Sequence, residues 1–178
     1  GVNGIQYAIQ LHLVSCGTNA TLIGFISGGI SLTMLVGSLL AGKLSDKVPV
    51  GPTVCLAYLF ICLCVLPMTL TDSYWIMLVA NSFVGLPFPL INAMLLGFIF
   101  AKSPTSMQGR ITVTLTVPAQ VLSMFCSAVA GTLLPVFGFH GAVLVFLAVL
   151  VASAVLVICS RSIRSIPKAA QWEHTMLR

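Results

Sequence analysis

The sequence predicts an all-α membrane protein, a polytopic helical bundle with one partial and five full transmembrane helices. Of its 178 residues, 58% are hydrophobic and only 6% are charged, whereas about 25% are charged in an ordinary soluble domain. Long stretches carry no charge at all, and the basic residues fall in alternate connections. So few polar side chains do not cover a soluble surface, which excludes a soluble enzyme, a nucleic-acid-binding domain and a disordered linker.

The lengths of the charge-free runs set the number of spans. A membrane-crossing helix needs about 20 predominantly apolar residues. Runs without Lys, Arg, Asp or Glu cover residues 1–42, 48–71, 73–101 and 111–160. The first run holds one full span and a shorter piece, and the last holds two spans with a turn at Pro135–Gly141. The predicted spans are Gly1–Val14 (partial), Leu22–Ala41, Gly51–Leu70, Tyr74–Phe100, Ile111–Val136 and Gly141–Cys159.

The basic residues predict an orientation. They follow the second, fourth and sixth spans, whereas the connections Ser15–Thr21, Thr69–Ser73 and Phe137–Gly141 contain no Lys or Arg. Because the basic side of a helical membrane protein faces the cytoplasm, we expect a multi-pass protein of the plasma (inner) membrane with a cytoplasmic C-terminus. Residues 1–160 are then the transmembrane bundle, and residues 161–178 a basic cytoplasmic tail at the lipid headgroups that does not bind nucleic acid.

The first span is shorter than the bilayer requires. Gly1–Val14 covers about 21 Å as an α-helix, whereas the hydrocarbon core is about 30 Å thick. We therefore expect Gly1 to be an internal position of a longer chain. The alternative is a short re-entrant helix.

The cysteines and histidines predict neither a metal site nor a cofactor. Five of the six cysteines fall within predicted spans, and Cys16 lies in a base-free connection, so we expect free thiols that behave as small apolar side chains. His12 and His140 fall near span ends without a second ligand at metal spacing. We expect them to reach the headgroups, with a role in proton traffic as the alternative.

Side-chain amides within the spans are the candidate substrate contacts, because an unpaired polar group in hydrocarbon is costly. Gln6 and Gln10 are spaced i and i+4, on one face of the first span. Asn81 and Asn92 are close to three helical turns apart and are expected to share a face of a span broken by proline. The alternative role is hydrogen bonding between helices. The predicted substrate-binding residues are Gln6, Gln10, Asn81, Asn92 and Gln120.

Small residues predict two packing faces, since they let helix backbones approach each other. One is on the second span at Gly24, Gly28 and Gly29. The other repeats every four residues along the fifth span, at Ala119, Ser123, Ser127 and Gly131. The threonines of the fifth span, Thr112, Thr114 and Thr116, are expected to bond to their own helix.

Three local patterns resemble those of the major facilitator superfamily. Gly42-Lys43-Leu44-Ser45-Asp46-Lys47 resembles its cytoplasmic loop motif, although Pro49 stands where that motif has a later glycine and Val50-Gly51 where it has arginines. The residues before the fifth span resemble the connection between the tenth and eleventh helices of the macrolide-efflux-like branch. The end of the fifth span resembles the exit from the eleventh helix in that branch. These two patterns are Pro104 with Gly109-Arg110, and Ala130-Gly131 with Pro135-Val136-Phe137-Gly138.

The resemblance implies that the spans are helices seven to twelve, the C-terminal half of the superfamily's fold. The partners are then the lipid bilayer, a small amphipathic substrate and a missing N-terminal half of the same chain. Gly42 would permit close helix approach, and Asp46 would pair with a base or cap a helix. Together with Lys47 and Arg110, they would latch one conformation of the transport cycle; simple topogenic charge is the alternative.

The sequence thus predicts a secondary active transporter that exports amphipathic small molecules, of the drug, macrolide or siderophore class, by alternating access. The alternative is a non-transporting or degenerate membrane protein that acts as an assembly partner. An intramembrane serine protease is not expected, because Phe25 stands where the tight turn around Ser27 would need glycine. The protein is therefore predicted not to be an enzyme.

Overall fold

The structure, a computed structural model, describes residues 1–44 and 48–160, apart from the side chains of Lys102 and Thr105. The motif residues Asp46 and Lys47 and the tail at 161–178 therefore lie outside the described residues. The helices are α1 (Val2–Ser15), α2 (Ala20–Leu44), α3 (Val50–Val65), α4 (Tyr74–Val84), α5 (Phe88–Lys102) and α6 (Gln108–Cys159), with 3-10 turns at Leu66–Thr69 and Thr105–Met107.

Four helical stretches of the described chain are long and apolar enough to cross a membrane. They are Ala20–Leu44, Val50–Thr69, Tyr74–Ala101 and Gln108–Cys159. The first three match the second, third and fourth predicted spans, and α1 is the partial one. The last holds both the fifth and the sixth predicted spans. The prediction of a helical membrane bundle is confirmed.

The long helix α6 folds back on itself at Gly138. A straight helix of 52 residues would measure about 78 Å, and its residues 123 and 150 would lie roughly 40 Å apart. Yet the start of α1 contacts both: Asn3 Nδ2 donates a hydrogen bond to Ser123 Oγ at 2.8 Å, and Gly1 lies against Leu150. The first segment of α6 (residues 108–137) and its second segment (residues 139–159) are therefore antiparallel.

The chain reverses at a single residue, whereas a turn over Pro135–Gly141 was predicted. Gly138 has φ 70° and ψ −178°, a backbone conformation that is open to glycine because it has no Cβ. The neighbouring residues keep helical geometry, including Pro135. The position of the reversal was predicted correctly and its length was not.

The fourth span is interrupted where prolines remove backbone donors. Pro87 and Pro89 have no N–H, and α4 ends at Val84 while α5 begins at Phe88. Between them the backbone tightens, with Gly85 N bonded to Ser82 O at 3.1 Å and Leu86 N to Phe83 O at 3.2 Å. Asn81 lies before the interruption and is buried, whereas Asn92 lies after it and is exposed. That the two share a face stays a prediction.

Glycines make the close contacts between α2 and the interrupted span, one at a predicted position and two elsewhere. Gly29 faces Ser82, Gly37 faces the carbonyl of Leu86, and Gly85 faces Ile30. Around Gly24 and Gly28, no described atom lies within 4 Å of where a Cβ would stand. Of the predicted face, only Gly29 is therefore a contact.

The small residues of the first segment of α6 also differ from prediction. Ala119, Ser127 and Gly131 are exposed, and Ser123 alone is half-buried, against Asn3. The segment contacts its neighbours through Ser123 and the fully buried Ala130, so most of the predicted stripe points away from the described bundle. Thr112, Thr114 and Thr116 do bond to their own helix, at 2.8–2.9 Å, as predicted.

The helices pack around one main core, and each has defined neighbours. α1 packs on α6, α2 packs on α4 and α5, and α3 packs on α4, α5 and α6. The core contains Ile5 and Ile9 of α1, Ile26 of α2, Met77 of α4 and Phe146 of α6. This arrangement fixes α1 beside the reversal of α6 and leaves one face of α1 outside the core.

The three connections without basic residues meet at one end of the bundle. His12 lies near the end of α1, Asp72 precedes α4, and His140 follows the reversal of α6; both histidines approach Asp72. Tyr74 Oη donates a hydrogen bond to Leu22 O at 2.8 Å, so the start of α2 lies at this end of the bundle as well. We call this the histidine end. At the opposite end, a second core cluster joins the start of α3 to α5 and the last turns of α6.

Candidate functional site

One face of α1 is polar and the other is apolar. Ile5, Ala8, Ile9 and Leu13 are buried in the core. Asn3, Gln6, Tyr7 and Gln10 follow the i, i+3, i+4, i+7 spacing of a single helix face. They line a cavity of about 180 Å³, which we call the α1 groove. Polar side chains at this depth in a membrane helix face a protein interior or a water-filled space rather than lipid.

Two serines from neighbouring helices hold the amides of the α1 groove. Asn3 Nδ2 donates to Ser123 Oγ of α6 at 2.8 Å. Gln10 Nε2 donates to Ser27 Oγ of α2 at 3.4 Å, a longer and weaker bond. The groove therefore lies along α1 with a hydroxyl from α2 near one end and a hydroxyl from α6 near the other.

The chemistry of the α1 groove is neutral hydrogen bonding beside an aromatic ring. With one N–H of each end amide already donated, the carbonyl oxygens of Asn3 and Gln10 are left to accept bonds, and Gln6 and Tyr7 both donate and accept. The Tyr7 side chain is 38% exposed and offers an apolar face. No Lys, Arg, Asp or Glu occurs in residues 1–42, so neither α1 nor Ser27 brings a formal charge to the groove.

The structure brings together only two of the five predicted substrate-binding residues. Gln6 and Gln10 line the α1 groove. Asn92 is exposed on α5 and Gln120 is exposed on the first segment of α6, both outside the groove lining. Asn81 is 2% exposed in the core, and its Nδ2 has no hydrogen-bond partner among the described residues. The role of all five in substrate binding stays a prediction.

Asn3, Tyr7, Ser27 and Ser123 were not identified as binding residues from the sequence. The signal for Asn3 and Tyr7 was available, because both fall on the helix face that Gln6 and Gln10 define. Ser27 and Ser123 gave no such signal, since their place depends on which helices neighbour α1. Ser27 Oγ accepts a hydrogen bond from Gln10 Nε2.

Two of the four motif residues lie within the described chain, and both are exposed. Gly42 is in the last turn of α2, and no described atom lies within 4 Å of where its Cβ would stand. The close helix approach predicted at Gly42 is therefore not made within the described chain. Arg110 is in the first turn of α6, where its carbonyl accepts the Thr114 hydroxyl at 2.8 Å.

No group of three or more His, Cys, Asp or Glu side chains is placed to hold a metal ion in residues 1–44 and 48–160. All six cysteines are described and all are free thiols.

The apolar spans and the connections that join them define a polytopic helical membrane protein. The family model described as Major Facilitator Superfamily matches residues 1–176. The chain belongs to that superfamily, whose members are membrane transporters. No curated protein and no solved structure shows a significant match to the chain.

Proposed function

We propose that the chain is the C-terminal half, helices seven to twelve, of a secondary transporter of the macrolide-efflux-like branch that exports amphipathic small molecules. Such a transporter works by rocking two helical halves around a site near the middle of the membrane. The N-terminal half of the same chain would be its partner. The protein would lie in the plasma membrane with the C-terminus in the cytoplasm, consistent with the placement of its basic residues.

The observation that carries the proposal is the α1 groove. Its four lining residues supply amide and phenol groups, and serines from α2 and α6 hold its two ends. A membrane helix that lines a path for a polar or amphipathic molecule turns its polar side chains to that path and is anchored in the bundle by its other face. α1 meets both requirements, since its opposite face is buried in the core.

The chemistry of the groove favours a weakly polar substrate with its own hydrogen-bond donors. Carbonyl oxygens of the end amides accept such donors, and the Tyr7 ring packs on an apolar surface. An anionic substrate would be better held by Arg or Lys, and α1 has neither. This match supports drugs, macrolides or siderophores over sugars and anions.

The proposal is tested with Gln6→Ala and Gln10→Ala in export measured from intact cells. Each change removes a neutral hydrogen-bonding group, a loss of about 0.5–1.5 kcal/mol. We therefore expect the apparent KM for an exported dye to rise roughly two- to ten-fold. The matched control is Leu11→Ala, which truncates a side chain on α1 that does not line the groove.

The amount of each variant in the membrane is measured in parallel. If Gln6→Ala and Gln10→Ala are inserted normally and export like the unmodified protein, the α1 groove is not the substrate site. If the unmodified protein, like the variants, exports none of a panel of amphipathic dyes, the chain is better described as a non-transporting assembly partner.

A further inference from the structure

At the histidine end, two imidazoles approach one carboxylate oxygen from different helices. His140 Nε2 lies 3.5 Å from Asp72 Oδ1, and His12 Nε2 lies 3.9 Å from the same atom. The side chain of His12 is 20% exposed, that of His140 42%, and that of Asp72 57%. These three residues, the histidine cluster, join α1, the connection before α4, and α6 just after its reversal.

The distances indicate an interaction through charge. A good N–H···O hydrogen bond has its heavy atoms within about 3.2 Å, and both distances exceed that. A neutral imidazole at this range interacts weakly with a carboxylate, whereas a protonated one is attracted to it. Histidine is the side chain that ordinarily gains its proton between about pH 5 and 8. The strength of the cluster therefore depends on the pH in that range.

His12 makes a second contact, with the residue that follows the reversal of α6. Its ring stacks on Phe139, with the ring centroids 4.4 Å apart and the planes at 24°. Since Phe139 directly follows Gly138, the His12 side chain joins the end of α1 to two separate elements.

We propose that the histidine cluster is a pH-sensitive clamp that holds the end of α1, the helix carrying the groove, against the reversal of α6 and the connection before α4. This clamp does not depend on the α1 groove being the substrate site. The predicted orientation decides only which compartment's pH it senses, which would be the outside of the cell.

In the part of the chain that the structure describes, the connections around the cluster hold no Lys, Arg or Glu. Asp72 is the only Asp, Glu, Lys or Arg in the three connections that meet there. The other titratable side chains nearby are Cys16, whose Sγ lies 3.8 Å from His12 Nε2, and Tyr74, whose hydroxyl is donated to Leu22 O. Thiols and phenols are not the groups that ordinarily titrate near pH 6–7.

Only the protonated form of a histidine is attracted to the Asp72 carboxylate. The clamp therefore contributes at acidic pH, and its contribution is lost as the pH rises through the range in which histidine side chains ordinarily lose their proton. The pairs are partly exposed, so each contributes modestly.

The test is thermal unfolding of the complete protein, purified in detergent, at about pH 5.5 and pH 8. We expect the Tm of the unmodified protein, relative to Asp72→Asn, to be roughly 1–4 °C higher at the acidic pH and equal at the alkaline pH. His12→Asn and His140→Asn should each remove part of the same difference, because each removes one of the two imidazoles that approach Asp72. Combined with Asp72→Asn, neither histidine change should reduce the pH difference further, because their shared partner is already absent.

The matched control is His174→Asn, which changes the third histidine of the sequence and should keep the full pH difference. An equal loss of Tm at both pH values in Asp72→Asn would show a structural role without proton dependence and would overturn the clamp. So would a full pH difference, relative to Asp72→Asn, in the double variant His12→Asn/His140→Asn. If EDTA abolishes the difference and added Zn²⁺ restores it, a metal ion replaces the proton and the proposal is also wrong.

Discussion

Asn81 places a side-chain amide in the core of the bundle, where it is 2% exposed. Its Nδ2 has no partner among the described residues, although a buried donor without a partner ordinarily costs about 1–3 kcal/mol. The group is thus either a cost to stability or a contact for something that enters the bundle. Its predicted role in substrate binding corresponds to the second case.

We predict that Asn81→Leu raises the free energy of unfolding by about 1 kcal/mol, because it replaces an unsatisfied amide by an apolar side chain of similar size. The measurement is the melting temperature of the protein in detergent. Asn92→Leu is the matched control, since that amide is exposed and its change should stay within about 0.5 kcal/mol. A lower Tm for Asn81→Leu would mean that the amide has a partner beyond the described residues.

At the scale of elements, the interruption between α4 and α5 is held by α2. The hydroxyl of Thr33 reaches Ser82 O across the helix interface, besides the carbonyls of Gly29 and Ile30 in its own helix. Ser82 O also accepts from Gly85 N at 3.1 Å. Thr33 thus helps satisfy a carbonyl at the point where the regular helical bonding of the fourth span is broken.

We predict that Thr33→Val lowers the free energy of unfolding by about 0.5–1.5 kcal/mol, since it keeps the shape of the side chain and removes the hydroxyl. Thr33→Ser keeps the hydroxyl and should lose less. Both are measured by thermal unfolding in detergent. Equal losses for the two variants would assign the effect to the packing of the methyl group and contradict the role of the hydrogen bond.

The number of spans could be predicted from the sequence because charge is excluded from hydrocarbon whatever the neighbours are. The faces of the helices could not. Gly24 and Gly28 resemble a packing face as much as Gly29 does, and only the position of Ser82 distinguishes them. Likewise, Gln6 and Gln10 could be found from their spacing, whereas Ser27 and Ser123 became part of the site only through the neighbours that α1 acquires in the fold.

At the scale of the whole molecule, the two ends of the bundle carry natural reporters of orientation. Cys16 is exposed at the histidine end and Cys159 is exposed at the last residue of α6, at the opposite end. The other four thiols are half-buried within helices. A reagent that does not cross the membrane therefore distinguishes the two ends without any introduced cysteine.

We predict that a membrane-impermeant maleimide labels intact cells at Cys16, because the base-free connections are expected to face outward. The label should be lost in Cys16→Ser and retained in Cys159→Ser. Permeabilised cells are the control, in which Cys159 also becomes accessible. Labelling of intact cells that survives in Cys16→Ser and disappears in Cys159→Ser would reverse the proposed orientation.

At Gly138 the two segments of α6 are joined by a single non-helical residue. A loop of several residues would let one segment slide along the other, but a joint of one glycine fixes their separation at that end. A displacement of the first segment at its far end would therefore be a rotation about Gly138, next to Phe139, whose ring stacks on His12. Such a rotation would move the residues near Arg110 farthest, because they lie at the other end of the segment.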